Sequence, residues 1–212
     1  MEQLTRRERE KKVREEEIIT AAEKIFFEKG FHDTSMDEIA KASQFSKKTL
    51  YQYFLNKEDL YFTVAAREFK MVIAYFNKGI KKGTTGLDKI RLLSEAYYAY
   101  YKDFPQSFGL MNYCQFIQTS RENISHYNEI SELRKNLLQD FADVIEEGKT
   151  DGSIRKDLKT KDTVISLFML ITGFFSRFAE LGKANIDLDN NDHERFVSST
   201  LDLIEHAIIA DR

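Results

Sequence analysis

The stretch FSKKTLYQYFLNKEDL, residues 45–60, decides how this chain is read. Ser46 is a residue type that caps helix N-termini, and Leu50 and Phe54 follow one turn apart, so the spacing predicts a short helix whose apolar pair faces inward. Lys48, Thr49, Gln52 and Tyr53 share the opposite face, with Lys47 beside them. From Lys41 to Lys57 the chain carries Lys41, Lys47, Lys48 and Lys57 and no carboxylate side chain, although its net charge is −3. A cationic, hydroxyl-bearing face suits a DNA duplex: Lys and Gln reach acceptors on guanine and adenine, and Thr and Tyr reach phosphates or a thymine methyl.

Working outward, Ser35 and Glu38 form an S-x-x-E capping box, and Met36, Ile39 and Ala40 give the short helix behind it one apolar face. That helix ends near Ser43, and a tight turn at Gln44 and Phe45 leads into the helix at Ser46. The pair is a helix-turn-helix with the second helix as the reader, supported by a helix from Ile18 to Gly30 on which Ile18, Ala22, Ile25 and Phe26 line one side. Thr34 and Ser35, at the start of the first short helix, place hydroxyls beside free backbone N–H groups, a ready anion site. Asn56 caps a long fourth helix, and Lys57 stands in its first turn. There the positive charge opposes the helix dipole by about 0.3 kcal/mol, which a bound phosphate offsets. Upstream, Arg6, Arg7, Arg9, Lys11, Lys12 and Arg14 form a second basic cluster diluted by Glu8 and Glu10.

The 212 residues suffice for one large domain or a small one plus a larger one. We divide them into a basic arm (1–14), a helix-turn-helix domain (15–60) and a body (61–212). A single proline, few glycines and no strand-like alternation predict an all-α fold. The body reads as helices over about 87–103, 106–119, 124–147, 161–181 and 192–210, with breaks at Gly83 to Gly86, the turn GKTDG and the polar loop GKANIDLDNND. With 42% hydrophobic and 32% charged residues the sequence shows no uninterrupted apolar run of membrane-span length, and the N-terminus has no apolar signal region. These features predict a cytoplasmic protein without a membrane partner. The single cysteine, Cys114, excludes an internal disulfide and reads as a small buried residue.

Twenty aromatic residues follow Asp59, so the body has the larger aromatic core. Tyr97, Tyr101, Phe108, Met111, Tyr113, Phe116 and Phe174 are the candidates for an apolar cavity with phenolic hydroxyls that orient a small molecule. The last two helices, with Leu167, Phe168, Leu170, Ile171, Phe174, Phe175 and Phe178, then Phe196, Leu201, Ile204 and Ile208, carry more apolar surface than a monomer comfortably exposes. Enzyme readings find little support. EGKTDG lacks the first glycine and the preceding strand of a phosphate loop, DLDNND lacks the glycine and glutamate of a calcium loop, and the four histidines are scattered. No catalytic residue, metal ligand or cofactor is predicted.

Three segments, Thr34 to Ala40, Ser46 to Phe54 and Asn56 to Leu60, agree in order and spacing with the tetracycline-repressor (TetR) family, and residues 15 to 62 resemble its DNA-binding domain. The body resembles the family in length, helicity and the turn Gly152 to Leu158. The resemblance implies an all-helical homodimer, joined through the last two helices, that binds a palindromic double-stranded DNA operator, usually as a repressor. A small-molecule effector entering the body releases it. The DNA contacts implied are Thr34 or Ser35, Lys47, Lys48, Thr49, Tyr51, Gln52, Tyr53 and Lys57. The alternative function is a helical small-molecule-binding or interaction protein that has lost operator reading. One departure stands out: where the family commonly has Ala-Gly-Val before the recognition helix, this chain has Ser43-Gln44-Phe45. A Gln forced to positive φ there costs about 1 kcal/mol.

Overall fold

The computed structural model describes residues 5–108, 110, 125–183 and 190–210. Among these, eight α-helices account for the regular structure: α1 (Arg6–Lys29), α2 (Met36–Ala42), α3 (Lys47–Leu50), α4 (Lys57–Ile80), α5 (Gly86–Asp103), α6 (Ser125–Asp151), α7 (Thr160–Lys183) and α8 (Asn190–Ile208). They group into two compact units, one formed by Met1–Phe69 with Gly109–Ser131 and the other by Lys70–Phe108 with Glu132–Arg212.

The first unit contains the head. Its core gathers Ile18, Ala22 and Phe26 of α1, Met36, Ile39 and Ala40 of α2, Leu50 and Phe54 from the recognition segment, and Leu60, Tyr61 and Phe62 of α4. Phe26 and Tyr61 meet edge-on with ring centroids 4.8 Å apart, the geometry their quadrupoles prefer. The Tyr61 hydroxyl donates to the Leu110 carbonyl at 2.9 Å, so burying that ring strands no polar group. α1 starts twelve residues before Ile18, where the apolar period begins. A capping box closes that start: the Thr5 hydroxyl accepts from the Glu8 backbone N–H while the Glu8 carboxylate accepts from the Thr5 backbone N–H.

The second unit is held by rings. Tyr97 lies 5.0 Å from Phe108 and 5.4 Å from Phe175, and Phe76 bridges Tyr97 and Phe141 at 5.7 and 5.9 Å. α6 continues through most of the turn expected at GKTDG and stops at Gly152, whose φ of +82° suits a residue without a side chain. Gly148 stays helical because Gly86 and Ile154 close on it: a Cβ added at Gly86 would lie 2.3 Å from the Gly148 Cα. Asp151 then caps α5 across the crossing, accepting from the Gly86 N–H at 2.8 Å, and the Ser153 hydroxyl accepts from the Leu87 N–H at 3.1 Å. These long-range partners override the local turn signal.

α7 and α8 each turn one face inward. Val164, Leu167, Ile171, Phe175 and Phe178 are buried, as are Val197, Ile204 and Ile208, while Ile165, Met169, Leu170, Phe196 and Leu203 are exposed. The bare apolar surface therefore lies beside most of the side chains named from the sequence, and Ile165, Met169 and Leu203 join Leu170 and Phe196 on it. By length and mean hydropathy Thr160–Ala179 is apolar enough to span a bilayer, although Lys161, Asp162 and Arg177 interrupt it, so no uninterrupted apolar run of that length stands in it. In the fold one face of this helix belongs to an aromatic protein core. Most of the expected helix 106–119 lies outside the described residues, as do Cys114 and most of the loop GKANIDLDNND.

Candidate nucleic-acid interface

Three capped helix starts build the reading surface. Ser35 and Glu38 complete their box at α2, with the Glu38 carboxylate accepting from the Ser35 N–H at 2.9 Å. Lys29 of α1 donates to the same carboxylate at 2.6 Å. The Lys29 bond, followed by those from Ser35, pulls the Glu38 pKa down to about 2. Ser46 caps α3 by accepting from the Thr49 N–H at 3.1 Å, and its hydroxyl also bonds the Thr49 hydroxyl at 2.8 Å. Asn56 caps α4 through the Asp59 N–H at 2.8 Å, while the Asp59 carboxylate accepts from the Leu55 N–H at 3.0 Å.

The turn between α2 and α3 takes the conformation the sequence raised: Gln44 has φ +59°. Its backbone strain is held by the Phe45 N–H, which donates to the Ala40 carbonyl at 3.0 Å, and by the Phe45 ring, packed against the head core. The recognition helix is shorter than its sequence pattern suggested. After Leu50 the bonds tighten, the Gln52 and Tyr53 N–H groups donating three residues back to Thr49 and Leu50, each at 3.0 Å, before Phe54 returns to a four-residue bond at 2.9 Å.

The nine candidate DNA contacts separate by what each side chain already does. Lys48, Tyr51 and Gln52 are exposed, and Tyr53 is half-buried against the core with the Lys11 ammonium 5.9 Å from its ring centroid. Thr49 is half-buried and linked to Ser46. Lys47 is exposed but paired to Asp37 of α2 at 2.8 Å, a surface bridge that a phosphate can displace at small cost. Ser35 is at the surface, whereas Thr34 is 2% exposed and its hydroxyl donates inward to the Gly30 carbonyl at 2.7 Å. Thr34 supports the turn, and of the pair Ser35 is the one with a surface hydroxyl.

Lys57 shows the largest departure from its expected part. Its ammonium donates to the carbonyls of Phe31 at 2.7 Å and Thr34 at 2.9 Å and lies 4.2 Å from the Phe31 ring centroid. The charge that seemed to await a phosphate is thus matched by backbone oxygens and an aromatic face inside the head. It ties the start of α4 to the α1–α2 turn, and with it the position of Ser35. Sequence inspection could not find this, because the partners lie more than twenty residues upstream.

In the second unit the expected ligand-contacting residues that are described lie together. Tyr101 is 5.4 Å from Phe108 and 5.6 Å from Phe178, and Phe174 is 5.1 Å from Phe175, which also touches Tyr97. Burial raises the pKa of both the Tyr97 and the Tyr101 phenol, which keeps them neutral hydrogen-bond groups. Met111, Tyr113 and Phe116 lie outside the described residues.

Comparison with known proteins agrees with this geometry. Residues 18–64 match the family described as "Bacterial regulatory proteins, tetR family". The transcriptional activator FasR of Mycolicibacterium smegmatis is 29% identical over 95 residues, 45% of this chain and 43% of its own length. The fatty acid metabolism regulator protein of Bacillus subtilis is 26% identical over 147 residues, covering 68% of this chain and 73% of its own. The crystal structure of the Bacillus subtilis regulator FadR in complex with stearoyl-CoA superimposes with a TM-score of 0.69 at 21% identity, over 89% of this chain and 96% of that one. Residues 18–64 thus match the tetR family of bacterial regulatory proteins in sequence, and 89% of the chain shares its fold with the FadR structure.

Proposed function

We propose that this chain is a non-enzymatic, DNA-binding transcription regulator that represses from a palindromic operator as a homodimer and lets go when an elongated apolar molecule of the long-chain acyl class binds the body. The observation that carries the reading is the face of α3 and its following turn: Lys48, Tyr51 and Gln52 stand exposed while Leu50 and Phe54, behind them, are 0% and 3% exposed. A rigid backing with a free polar front is what major-groove reading requires. Homodimerisation is supported by the bare apolar face of α7 and α8, since a second copy covers such a face with an equivalent one. The effector class is supported by the aromatic cluster of Tyr97, Tyr101 and Phe174 and by the acyl-related names of two relatives. A regulator of the cell's own DNA works in the cytoplasm.

Titration of the protein's own promoter duplex at rising salt is the test. Binding that weakens steeply with salt, and is reversed by stearoyl-CoA but not by free coenzyme A, is the expected result. Lys48→Ala and Gln52→Ala should each cost about 1–3 kcal/mol and blur sequence preference. No promoter binding at low salt sinks the regulator reading and favours the alternative, a helical ligand-binding protein whose head no longer reads DNA. Promoter binding indifferent to stearoyl-CoA removes the acyl effector alone.

A further inference from the structure

The family match begins at residue 18, yet α1 begins at Arg6. Its first twelve residues, RREREKKVREEE, are three helical turns with no apolar face: Val13 is their one aliphatic residue and is 57% exposed. Nothing in the head core requires them. Along the helix, Arg7, Lys11 and Arg14 fall at i, i+4 and i+7, and the same row runs on through Ile18, Ala22 and Ile25. The row that faces the core where the helix lies over the head thus changes from apolar to basic where the helix leaves it.

The direction of this basic row is fixed by a contact. The Lys11 ammonium lies 5.9 Å from the ring centroid of Tyr53, a residue of the recognition segment. Three carboxylates near the row are engaged elsewhere: Glu10 pairs with Arg6 at 2.9 Å, Glu8 closes the capping box with Thr5, and Glu16 pairs with Arg67 of α4 at 2.7 Å. Arg7, Lys11 and Arg14 are all exposed. From Arg7 to Arg14 the helix rises about 10 Å, comparable to three nucleotides of one strand at about 3.4 Å each along the duplex.

We propose that Arg7, Lys11 and Arg14 form a phosphate-binding stripe that extends the head's DNA footprint beyond the base pairs read by α3, onto the backbone flanking each half-site. This rests on the regulator reading above and adds to it a sequence-independent anchor. The stripe contacts backbone and not bases, so it raises affinity for any flanking sequence and contributes to the salt dependence rather than to specificity.

The experiment compares wild type with Arg7→Ala/Lys11→Ala/Arg14→Ala on a promoter duplex carrying one extra helical turn on each side. Affinity is measured across a salt series, and circular dichroism confirms that each protein is folded. The slope of log affinity against log salt should fall by about 2.7 per head, three contacts at about 0.9 each. Arg6→Ala/Arg9→Ala/Lys12→Ala removes the same charge from the opposite side of the helix and should keep the wild-type slope. Arg7→Lys/Lys11→Arg/Arg14→Lys should keep it too. An unchanged slope in the first variant, an equal loss in the second, or a loss in the third overturns the stripe. Wild-type protein that does not bind the promoter at all overturns the regulator reading instead.

Discussion

The head and the second unit are stabilised by different physics. In the head, helices short and long are fixed at their N-terminal ends by polar side chains acting over three residues: Thr5 with Glu8, Ser35 with Glu38, Ser46 with Thr49, Asn56 with Asp59. In the second unit, long helices meet through aromatic rings far apart in sequence, such as Phe76 with Phe141 and Tyr97 with Phe175. The contrast separates a head whose polar groups are held in register by local caps from a body held by ring packing between distant helices.

The sharpest way to break this contrast is to empty each core. Phe175→Ala should lower stability by about 3–5 kcal/mol and Leu50→Ala by about 2–5 kcal/mol, both residues being 0% exposed. Denaturant unfolding measures each loss. Under conditions where both variants remain folded, Leu50→Ala should weaken promoter binding and Phe175→Ala should leave it intact; equal damage by both would mean that the two units do not divide the work.

Next in size is Lys57. Lys57→Met keeps the apolar stem but leaves the Phe31 and Thr34 carbonyls without their charged donor, a loss of about 2 kcal/mol for hydrogen bonds of this kind. Calorimetry should show the loss without any DNA present. Destabilisation that appears only in the DNA complex would return Lys57 to the phosphate role read from the sequence.

Gln44→Gly sharpens the comparison in the opposite direction. Relief of the +59° backbone should add about 1 kcal/mol, measurable as a higher unfolding midpoint with the promoter sequence preference unchanged.

The smallest effect belongs to Glu38. Its pKa is held at about 2 in the folded head against an ordinary 4.5, so the carboxylate stabilises the fold fully above about 4.5. That contribution is lost as pH falls toward 2. Glu38→Gln should flatten the fall of melting temperature over this window and change nothing in its slope near neutral pH. An unaltered acid limb would show that the Lys29 and Ser35 contacts are not held in solution.

How much was legible follows from the same contrast. The spacing of Ser35 and Glu38, the pair Leu50 and Phe54, and the breaks at Gly30 and Gln44 place α2, α3 and the end of α1 close to where they lie, because each signal acts within one or two turns of chain. The start of α1 was missed for lack of an apolar period, although Thr5 and Glu8 spelled a capping box there. The continuation of α6 through most of GKTDG is not legible in the sequence because its cause, the approach of Gly86 to Gly148, is distant along the chain.

The sequence by itself determined an all-helical chain and the face of a helix-turn-helix that is free of acids, since helix period, caps and charge pattern are local quantities. Only the tertiary structure decided that Lys57 is bonded inward, that Thr34 is buried, and that Ile165, Met169 and Leu203 stay bare while Leu167 and Phe175 do not. Those outcomes depend on which surfaces meet after the chain has folded back on itself, and a side chain's burial and partners are set by that meeting rather than by its neighbours in the chain.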